Sequence, residues 1–216
     1  MNEVLEEICR LRVVPVVAIQ DVKDAEPLAQ ALIDGNLPCA EITFRTDAAG
    51  DSIRVLARRG DMLVGAGTVL TIDQAKTAFD AGAQFIVSPG FNPRVVQHCL
   101  DNGITVIPGV CTPSDISLAL DFGLEVVKFF PAEAFGGLQT LKALSAPYSM
   151  VRFIPTGGIG PETLVEYLSF PRVIACGGSW MVASDLISSG NFDEIRRLTR
   201  EAVELAAKAV SQNKTG

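Results

Sequence analysis

The chain is poor in the residue types that most often build metal and acid–base sites. Its 216 residues include one histidine, His98, and five cysteines, with no Cys-x-x-Cys pair among them. A single histidine makes a histidine-built metal site hard to assemble and removes the commonest general base from most catalytic schemes. The cysteines are Cys9, Cys39, Cys99, Cys111 and Cys176. Their odd number and their spacing predict reduced, buried thiols of the kind found in a reducing cytoplasm.

An excess of basic residues and a long apolar run are also missing. The formal net charge is −7, and no apolar stretch approaches the ~18 residues that suggest a membrane span. A nucleic-acid backbone requires clustered Lys and Arg, whereas a small anionic substrate requires only a local positive pocket. The first residues are acidic, where a secretory signal would be basic. The sequence therefore predicts a cytoplasmic protein that binds neither nucleic acid nor membrane.

Short β-rich runs alternate with helical periodicity along the whole chain. The eight predicted strands are Val13–Ile19, Cys39–Phe44, Met62–Thr68, Phe85–Ser88, Ile104–Val110, Glu125–Phe129, Arg152–Thr156 and Arg172–Cys176. Strands that alternate with helices pair in parallel through right-handed crossovers. Eight such units at a spacing of roughly 20–27 residues favour a closed (β/α)₈ TIM barrel over an open sheet. We therefore predict a single α/β barrel domain over residues 1–216.

Several residues predict where helices begin and end. Glycines that would end helices in a left-handed conformation are Gly35, Gly60, Gly82, Gly103 and Gly123. The predicted N-caps are Asp47, Thr71, Asn92 and Thr112. Outside the barrel pattern, Met1–Leu11 predicts an extra helix that covers the barrel bottom, and Asn191–Val210 predicts a long final helix. Trp180–Leu186 predicts a short extra helix, and residues 211–216 predict a frayed tail.

The second predicted strand ends in charged residues. Glu41, Thr43 and Arg45 share one face of an extended chain, because side chains alternate with a period of two. A Glu and an Arg on an otherwise apolar strand are costly unless they pair or face a polar pocket. Two interpretations stay open: a structural Glu–Arg pair, or a catalytic base beside an anion-binding guanidinium.

The sixth predicted strand carries a lysine among apolar residues. Lys128 lies in Val126-Val-Lys-Phe-Phe-Pro131 near the end of the strand, and the parallel strands of a barrel are buried on both faces. Burial disfavours an ammonium group, and a neutral amine is what imine formation with a ketone requires. The alternative is a lysine that extends to the barrel mouth and pairs with an acid.

Two glycine-rich turns follow the seventh and eighth predicted strands. They contain Gly157 and Gly158 after Thr156, and Gly178 before Ser179. Many barrels bind phosphate at these positions through backbone N–H groups and a short helix. Tight turns without a ligand are the alternative. Two further strand ends carry weaker signals: the hydroxyl of Thr68, and Pro89, which with Pro93 brackets a rigid turn.

Six motifs occur in order along nearly the whole chain. They are Glu41-Ile-Thr-Phe-Arg45, Gly65-Ala-Gly-Thr68, Ser88-Pro-Gly90, Pro108-Gly-Val-Cys-Thr-Pro-Ser-Asp115, Val127-Lys-Phe-Phe-Pro131 and Pro155-Thr-Gly-Gly158. Together they resemble the 2-dehydro-3-deoxy-phosphogluconate (KDPG) aldolases, which often also act as 4-hydroxy-2-oxoglutarate (KHG) aldolases. The resemblance implies a homotrimeric class I aldolase that cleaves a 2-oxo acid phosphate and needs no metal or other cofactor.

The resemblance also implies a role for each matching residue. Lys128 would form the Schiff base, and Glu41 would be the general acid and base. Arg45, Thr68 and Pro89 would bind the pyruvate end of the substrate. The far end and its phosphate would contact Thr156, Gly157, Gly158, Gly178 and Ser179.

The residues themselves support this chemistry and leave rivals open. Cleavage of a C–C bond beside a ketone needs an electron sink, which an iminium on Lys128 would provide. A sugar-phosphate epimerase or synthase, or a non-catalytic phosphometabolite-binding protein, would share the glycine turns without needing Lys128. Among aldolases, the galactonate epimer and non-phosphorylated 2-oxo acids are alternative substrates.

Overall fold

The chain folds as parallel strands that alternate with helices, and the computed structural model describes the backbone of residues 1–213 and the side chains of residues 1–209. The strands are β1 Val13–Val17, β2 Cys39–Thr43, β3 Leu63–Gly67, β4 Phe85–Val87, β5 Thr105–Ile107, β6 Gly109–Val110, β7 Val126–Phe129, β8 Arg152–Pro155 and β9 Cys176–Gly178. The helices are α1 Glu3–Leu11, α2 Ala25–Asp34, α3 Ala49–Arg59, α4 Ile72–Asp80, α5 Pro93–Asp101, α6 Pro113–Asp121, α7 Gly137–Ser145, α8 Pro161–Ser169, α9 Ser184–Ser188 and α10 Phe192–Asn213, with 3₁₀ turns at Val22–Asp24, Glu133–Phe135 and Trp180–Val182. The predicted α/β class is confirmed.

All the strand pairings are parallel. One sheet has the order β5-β4-β3-β2-β1-β9, and a second has the order β6-β7-β8. Only Pro108 lies between β5 and β6. It interrupts the strand because proline lacks the N–H that a sheet ladder requires. Isolated parallel bridges join Phe153 to Val173 and Thr156 to Gly177, across the gap between β8 and β9. Every residue of β2, β3 and β7 is buried, as in sheets covered on both faces.

The last predicted strand was misplaced. The sequence predicts Arg172–Cys176, but the strand is Cys176–Gly178, which pairs with β1 at Val13, Val14 and Pro15. Glycine has a low strand propensity, so the two glycines read as part of a turn. In the fold, close packing of β9 requires glycine and not a turn, because a Cβ on Gly177 would stand 2.3 Å from Thr156 Oγ1. Pairing with β1 therefore overrides local propensity here.

Most of the predicted helix signals are confirmed, and two are wrong. The side chains of Thr71, Asn92 and Thr112 cap α4, α5 and α6. Asp47 is not a cap, because α3 begins one residue later, after Ala48. Gly35 ends α2 but has φ −82°, and the next residue, Asn36, takes the left-handed conformation instead. Gly60, Gly82, Gly103 and Gly123 all have positive φ, as expected.

Three predicted terminal or additional segments differ in detail. The first helix is present as α1, and its Ile8 is fully buried. The predicted helix Trp180–Leu186 is divided into a 3₁₀ turn and α9. The backbone of α10 continues to Asn213, three residues beyond the predicted end at Val210; residues 214–216 lie outside the described residues, and the frayed tail stays a prediction. Over residues 1–213, no helix combines the length and apolarity that a membrane crossing demands.

The N-terminus of α6 depends on a reciprocal capping box. Thr112 Oγ1 accepts from the Asp115 N–H, and Asp115 Oδ2 accepts from the N–H groups of Cys111 and Thr112. Burial alone would raise the pKa of the Asp115 carboxyl, but these donors hold that pKa below its ordinary value. A lowered folded-state pKa contributes stability above the unfolded pKa, and that stability is lost as pH falls through the folded value.

Asp115→Asn is expected to lower the free energy of unfolding at pH 7 by about 1 kcal/mol, because it removes the charge that these donors hold. The deficit relative to the parent chain should shrink as pH falls below the ordinary value of 3.8. Urea unfolding at pH 7 and pH 3 measures both effects. The exposed Asp80, changed to Asn, is the control. An equal Asp115→Asn deficit at both pH values would contradict the assignment.

Candidate active site

All ten site residues predicted from the sequence line one cavity of about 280 Å³. The ten are Glu41, Arg45, Thr68, Pro89, Lys128, Thr156, Gly157, Gly158, Gly178 and Ser179. The cavity lies at the carboxyl ends of the parallel strands, where α/β barrels place their functional groups. Parallel pairing brings strand ends that are far apart in sequence to one edge of the fold. The tertiary structure thus assembles the predicted set at a single site.

Five further residues line the cavity and had no predicted role. They are Val16, Thr43, Phe130, Ile159 and Gly177. Thr43 shares the strand face of Glu41, and this period of two was the signal that could have identified it. The apolar members carry no chemical signature in the sequence, because an isolated Val, Phe or Ile reads as core.

A lysine and a glutamate form a buried pair in the cavity. Lys128 on β7 is 6% exposed and Glu41 on β2 is 3% exposed. Lys128 Nζ donates to Glu41 Oε1 at 3.3 Å and lies 5.2 Å from the centre of the Phe130 ring. Among the described side chains, Glu41 therefore pairs with Lys128. The structural pair with Arg45, which the sequence had left open, is not formed between these side chains. Burial of either charge alone would be costly, so the two groups support each other out of water.

The neighbouring strand leaves room for the glutamate. In the parallel register, Thr43 of β2 lies beside Gly67 of β3. A Cβ on Gly67 would stand 2.2 Å from Glu41 Oε1, which is closer than Cβ atoms in proteins approach other heavy atoms. Glycine at this position is therefore required for the Glu41 carboxylate to reach Lys128.

Arg45 is oriented by a short chain of hydrogen bonds. Thr43 Oγ1 donates to the carbonyl of Val17 at 2.7 Å and accepts from Arg45 Nε at 3.0 Å. One edge of the guanidinium is held in this way at the cavity wall. A guanidinium can bind a carboxylate through two parallel N–H donors, so this wall suits a carboxylate.

The neighbouring strand, β3, is followed by a strained residue. Thr68 follows β3 with φ 55°, a conformation that is rare for β-branched side chains. Such strain is found most often at functional sites, where the surrounding structure enforces it. Pro89 follows β4 on the same lining. Since β3 and β4 are paired neighbours, Thr68 and Pro89 end adjacent strands and form one wall.

A glycine turn forms the other end of the cavity. Gly157 and Gly158 have φ 101° and 83°, and their carbonyl edge is tied to the chain after β7. The Ala132 N–H donates to the Thr156 carbonyl at 2.8 Å, and the Glu133 N–H donates to the Gly157 carbonyl at 3.0 Å. The turn leads through Gly160, the N-cap, into α8. Bare backbone near a helix N-terminus is suited to an anion such as phosphate.

The cysteines and the histidine lie outside this site. Cys39, Cys99 and Cys176 are buried, and Cys9 and Cys111 are half-buried; all five are free. Burial raises the pKa of the Cys99 thiol to about 11. The same effect raises the pKa of Cys39 and Cys176 even further above the ordinary value. Buried thiols with raised pKa values are unreactive, and the predicted burial is confirmed for these three.

Comparisons with known proteins agree with the geometry of the cavity. The family model described as KDPG and KHG aldolase matches residues 4–198. A 2-dehydro-3-deoxy-phosphogluconate aldolase of Treponema pallidum is 51% identical over 95% of this chain and 98% of its own. The KHG/KDPG aldolase of Escherichia coli is 44% identical over 89% of this chain and 91% of its own.

A solved structure is also similar over most of its length. It is a KDPG aldolase from Legionella pneumophila with pyruvate captured at low pH as a covalent carbinolamine intermediate. The two chains are 37% identical with a TM-score of 0.90, and the match covers 93% of this chain and 98% of the other. The family resemblance inferred from the six sequence motifs is thereby confirmed: the chain belongs to the KDPG and KHG aldolase family.

Proposed function

We propose that this chain is a lysine Schiff-base aldolase that cleaves KDPG to pyruvate and glyceraldehyde 3-phosphate, and KHG to pyruvate and glyoxylate. The observation that carries the proposal is the buried contact of 3.3 Å between Lys128 Nζ and Glu41 Oε1 within the cavity. An epimerase or a binding protein would not need a nucleophilic amine beside a proton acceptor. The relatives named above carry KDPG or KHG activity in their names, which supports the gluconate substrate over the galactonate epimer.

The first half of the reaction attaches the substrate. Lys128 loses a proton, for which Glu41 is the adjacent acceptor, and the neutral amine adds to C2 of the 2-oxo acid. Glu41 gives that proton to the hydroxyl of the carbinolamine, which leaves as water and produces an iminium on Lys128, so that the carboxylate is free again. Glu41 accepts the proton of the C4 hydroxyl, directly or through water, and the C3–C4 bond breaks. Its electron pair moves into the iminium, which leaves an enamine and an aldehyde.

The second half releases pyruvate. Glu41 returns a proton to C3 of the enamine, and hydrolysis of the resulting imine restores the Lys128 amine. A single carboxylate can serve every proton step because the reacting atoms all belong to one substrate, which is held covalently on Lys128 beside Glu41. The buried setting keeps bulk water away from the enamine.

The remaining cavity residues would orient the substrate. Arg45, Thr68 and Pro89 would bind its carboxylate end, since Arg45 is the cation on that wall. Thr156 would contact the C4 region, where the two epimers differ. The phosphate would bind at the other end, at Gly157, Gly158, Gly178 and Ser179. What supports this division is the arrangement of the cavity itself, with a guanidinium at one end and bare backbone at the other.

Release of pyruvate from three substrates tests the proposed function. We expect KDPG to be cleaved with the highest kcat/KM and KHG to be cleaved more slowly, because KHG lacks the phosphate. The galactonate epimer should be a poor substrate. Faster cleavage of the galactonate epimer would reassign the substrate, and no pyruvate from any of the three would overturn the aldolase proposal.

Thr43→Val is expected to raise KM by about tenfold for both KDPG and KHG, since one hydrogen bond to a charged group is lost. The substitution keeps the shape of the side chain but removes the hydroxyl that accepts from Arg45 Nε. The value of kcat should change by less than about threefold, because the Lys128–Glu41 contact is not altered. Steady-state kinetics measure both constants, and a fall in kcat at unchanged KM would contradict this role.

We further propose that the two sheets form one closed eight-stranded barrel in a single domain, with α1 covering its bottom. Supporting this are the single residue between β5 and β6 and the bridges between β8 and β9. Ile8 of α1 and Lys128 line the same small cavity within the core.

The family resemblance further supports a cytoplasmic homotrimer. Leu70, Phe79 and Leu100 are 51%, 50% and 37% exposed, and a partner subunit would cover such apolar surface. Light scattering after size-exclusion chromatography tests the trimer, and a monomer mass would exclude it.

A further inference from the structure

A tyrosine and a glutamate form a hydrogen bond beside the active-site cavity. Tyr167 on α8 is 2% exposed, and its phenol donates to Glu133 Oε1 at 2.5 Å. Burial, followed by the bond to Glu133, raises the pKa of Tyr167 far above its ordinary value, so the phenol stays a donor. Glu133 begins the 3₁₀ turn that follows β7, the strand of Lys128. Neither residue is among those that line the cavity, so the chemistry described above does not use them.

Glu133 lies directly against the glycine turn. Its N–H donates to the Gly157 carbonyl at 3.0 Å. A Cβ on Gly158 would stand 2.6 Å from Glu133 Cβ and 2.7 Å from Glu133 Cγ, so the stem of the glutamate packs on bare backbone. The carboxylate is two bonds from the Cβ of that stem, so it is close to the turn that is proposed to bind the phosphate.

The tyrosine holds the carboxylate outside the lining of the cavity, near the start of α7. Glu133 Oε1 lies 3.2 Å from the position that a Cβ on Gly137 would occupy, at the first residue of α7. A negative charge is favoured at a helix N-terminus by the helix dipole. The Glu133 side chain is otherwise largely exposed, so the bond to Tyr167 is its only described side-chain anchor within residues 1–209.

We propose that Tyr167 is a positioning residue that keeps the Glu133 carboxylate away from the phosphate end of the cavity, and so sets the preference for phosphorylated substrates. The inference rests on the proposed function, since it concerns the phosphate of KDPG. A carboxylate released beside Gly157 and Gly158 repels a phosphate dianion. KHG ends in a carboxylate attached to C4, which stops short of the phosphate site and carries less charge than a phosphate dianion, so the same charge repels it less. The Tyr167–Glu133 bond therefore acts on substrate choice and not on bond cleavage.

Tyr167→Phe tests the proposal, because it removes one hydroxyl and keeps the packed ring. We expect KM for KDPG to rise about tenfold and KM for KHG to change by less than about twofold. The ratio of kcat/KM for KDPG to that for KHG should then fall about tenfold. Glu133→Gln added to Tyr167→Phe removes the charge and should restore the ratio to within about threefold of the parent value.

Three further measurements separate the outcomes. Tyr148→Phe is the matched control, since that phenol bonds Pro113 and Ser117 outside the cavity, and it should leave the ratio unchanged. Inhibition by inorganic phosphate should weaken in Tyr167→Phe, and circular dichroism should show a parent-like fold. Equal losses for KDPG and KHG, or no recovery in the double variant, would overturn the inference alone. A parent enzyme that cleaves neither substrate would overturn the proposed function instead.

Discussion

Lys128→Ala is expected to abolish the covalent adduct that borohydride traps with pyruvate, and to lower kcat by a factor on the order of 10⁶, as removal of a covalent nucleophile does elsewhere. The reason is chemical: no other described amine lines the cavity. Mass spectrometry of the reduced protein should show one pyruvate-derived addition per parent chain, on the peptide that contains Lys128. The variant should show none.

Two controls separate lost chemistry from lost folding. Lys128→Ala leaves Glu41 buried without its partner, which is destabilising by itself. Lys128→Arg keeps a positive charge beside Glu41 but cannot form an imine, because arginine stays protonated. It should therefore be inactive even when its melting temperature is close to that of the parent chain. Lys142→Ala, at an exposed position on α7, should retain both adduct and turnover. An adduct on any other side chain would refute the role of Lys128.

Glu41→Gln is expected to lower kcat by about 10²–10⁴-fold, which is the usual contribution of a general acid or base. Since the amide keeps the size of the carboxylate and still accepts a bond from Lys128, KM should change by only a few-fold. Borohydride should still trap pyruvate on Lys128, only more slowly, because the amine remains and water can replace the carboxylate in the proton steps of imine formation. The variant should thus separate attachment of the substrate from proton transfer.

Exchange of the pyruvate methyl protons in deuterated water isolates the same step. The parent enzyme should exchange them through the enamine, and Glu41→Gln should slow that exchange as strongly as it slows cleavage. Glu162→Gln, at an exposed position on α8, serves as the matched control and should exchange at the parent rate. Rapid exchange in Glu41→Gln would mean that another group carries the proton.

Local patterns were sufficient to predict much of the fold. Alternating strand and helix periodicity identified the α/β class, and Thr71, Asn92 and Thr112 were correct as caps because capping depends on a few adjacent residues. The prediction of the last strand was wrong because that strand depends on a partner distant in sequence. Gly177 and Gly178 become a strand only because β1 pairs with them, and their own propensity gives no sign of it.

The candidate site shows the same division. Polar groups at strand ends were identifiable because parallel strands bring their carboxyl ends to one edge. The partner of Glu41 was not identifiable, since the sequence left open both a structural pair with Arg45 and a role in a polar pocket. The role of Tyr167 was also hidden, because an aromatic residue in a helix reads as core until its hydroxyl is seen on Glu133.

The sequence by itself determined the alternation of strands and helices, the family resemblance, and ten of the fifteen residues that line the cavity, because these follow from short-range periodicity and from contiguous motifs. Tertiary structure alone decided that Glu41 pairs with Lys128, which lies 87 positions further along the chain. It also decided that Gly67 makes room for that carboxylate, and that Thr43 orients Arg45. Such contacts depend on which strands become neighbours, and strand neighbours are set by the packing of the whole domain.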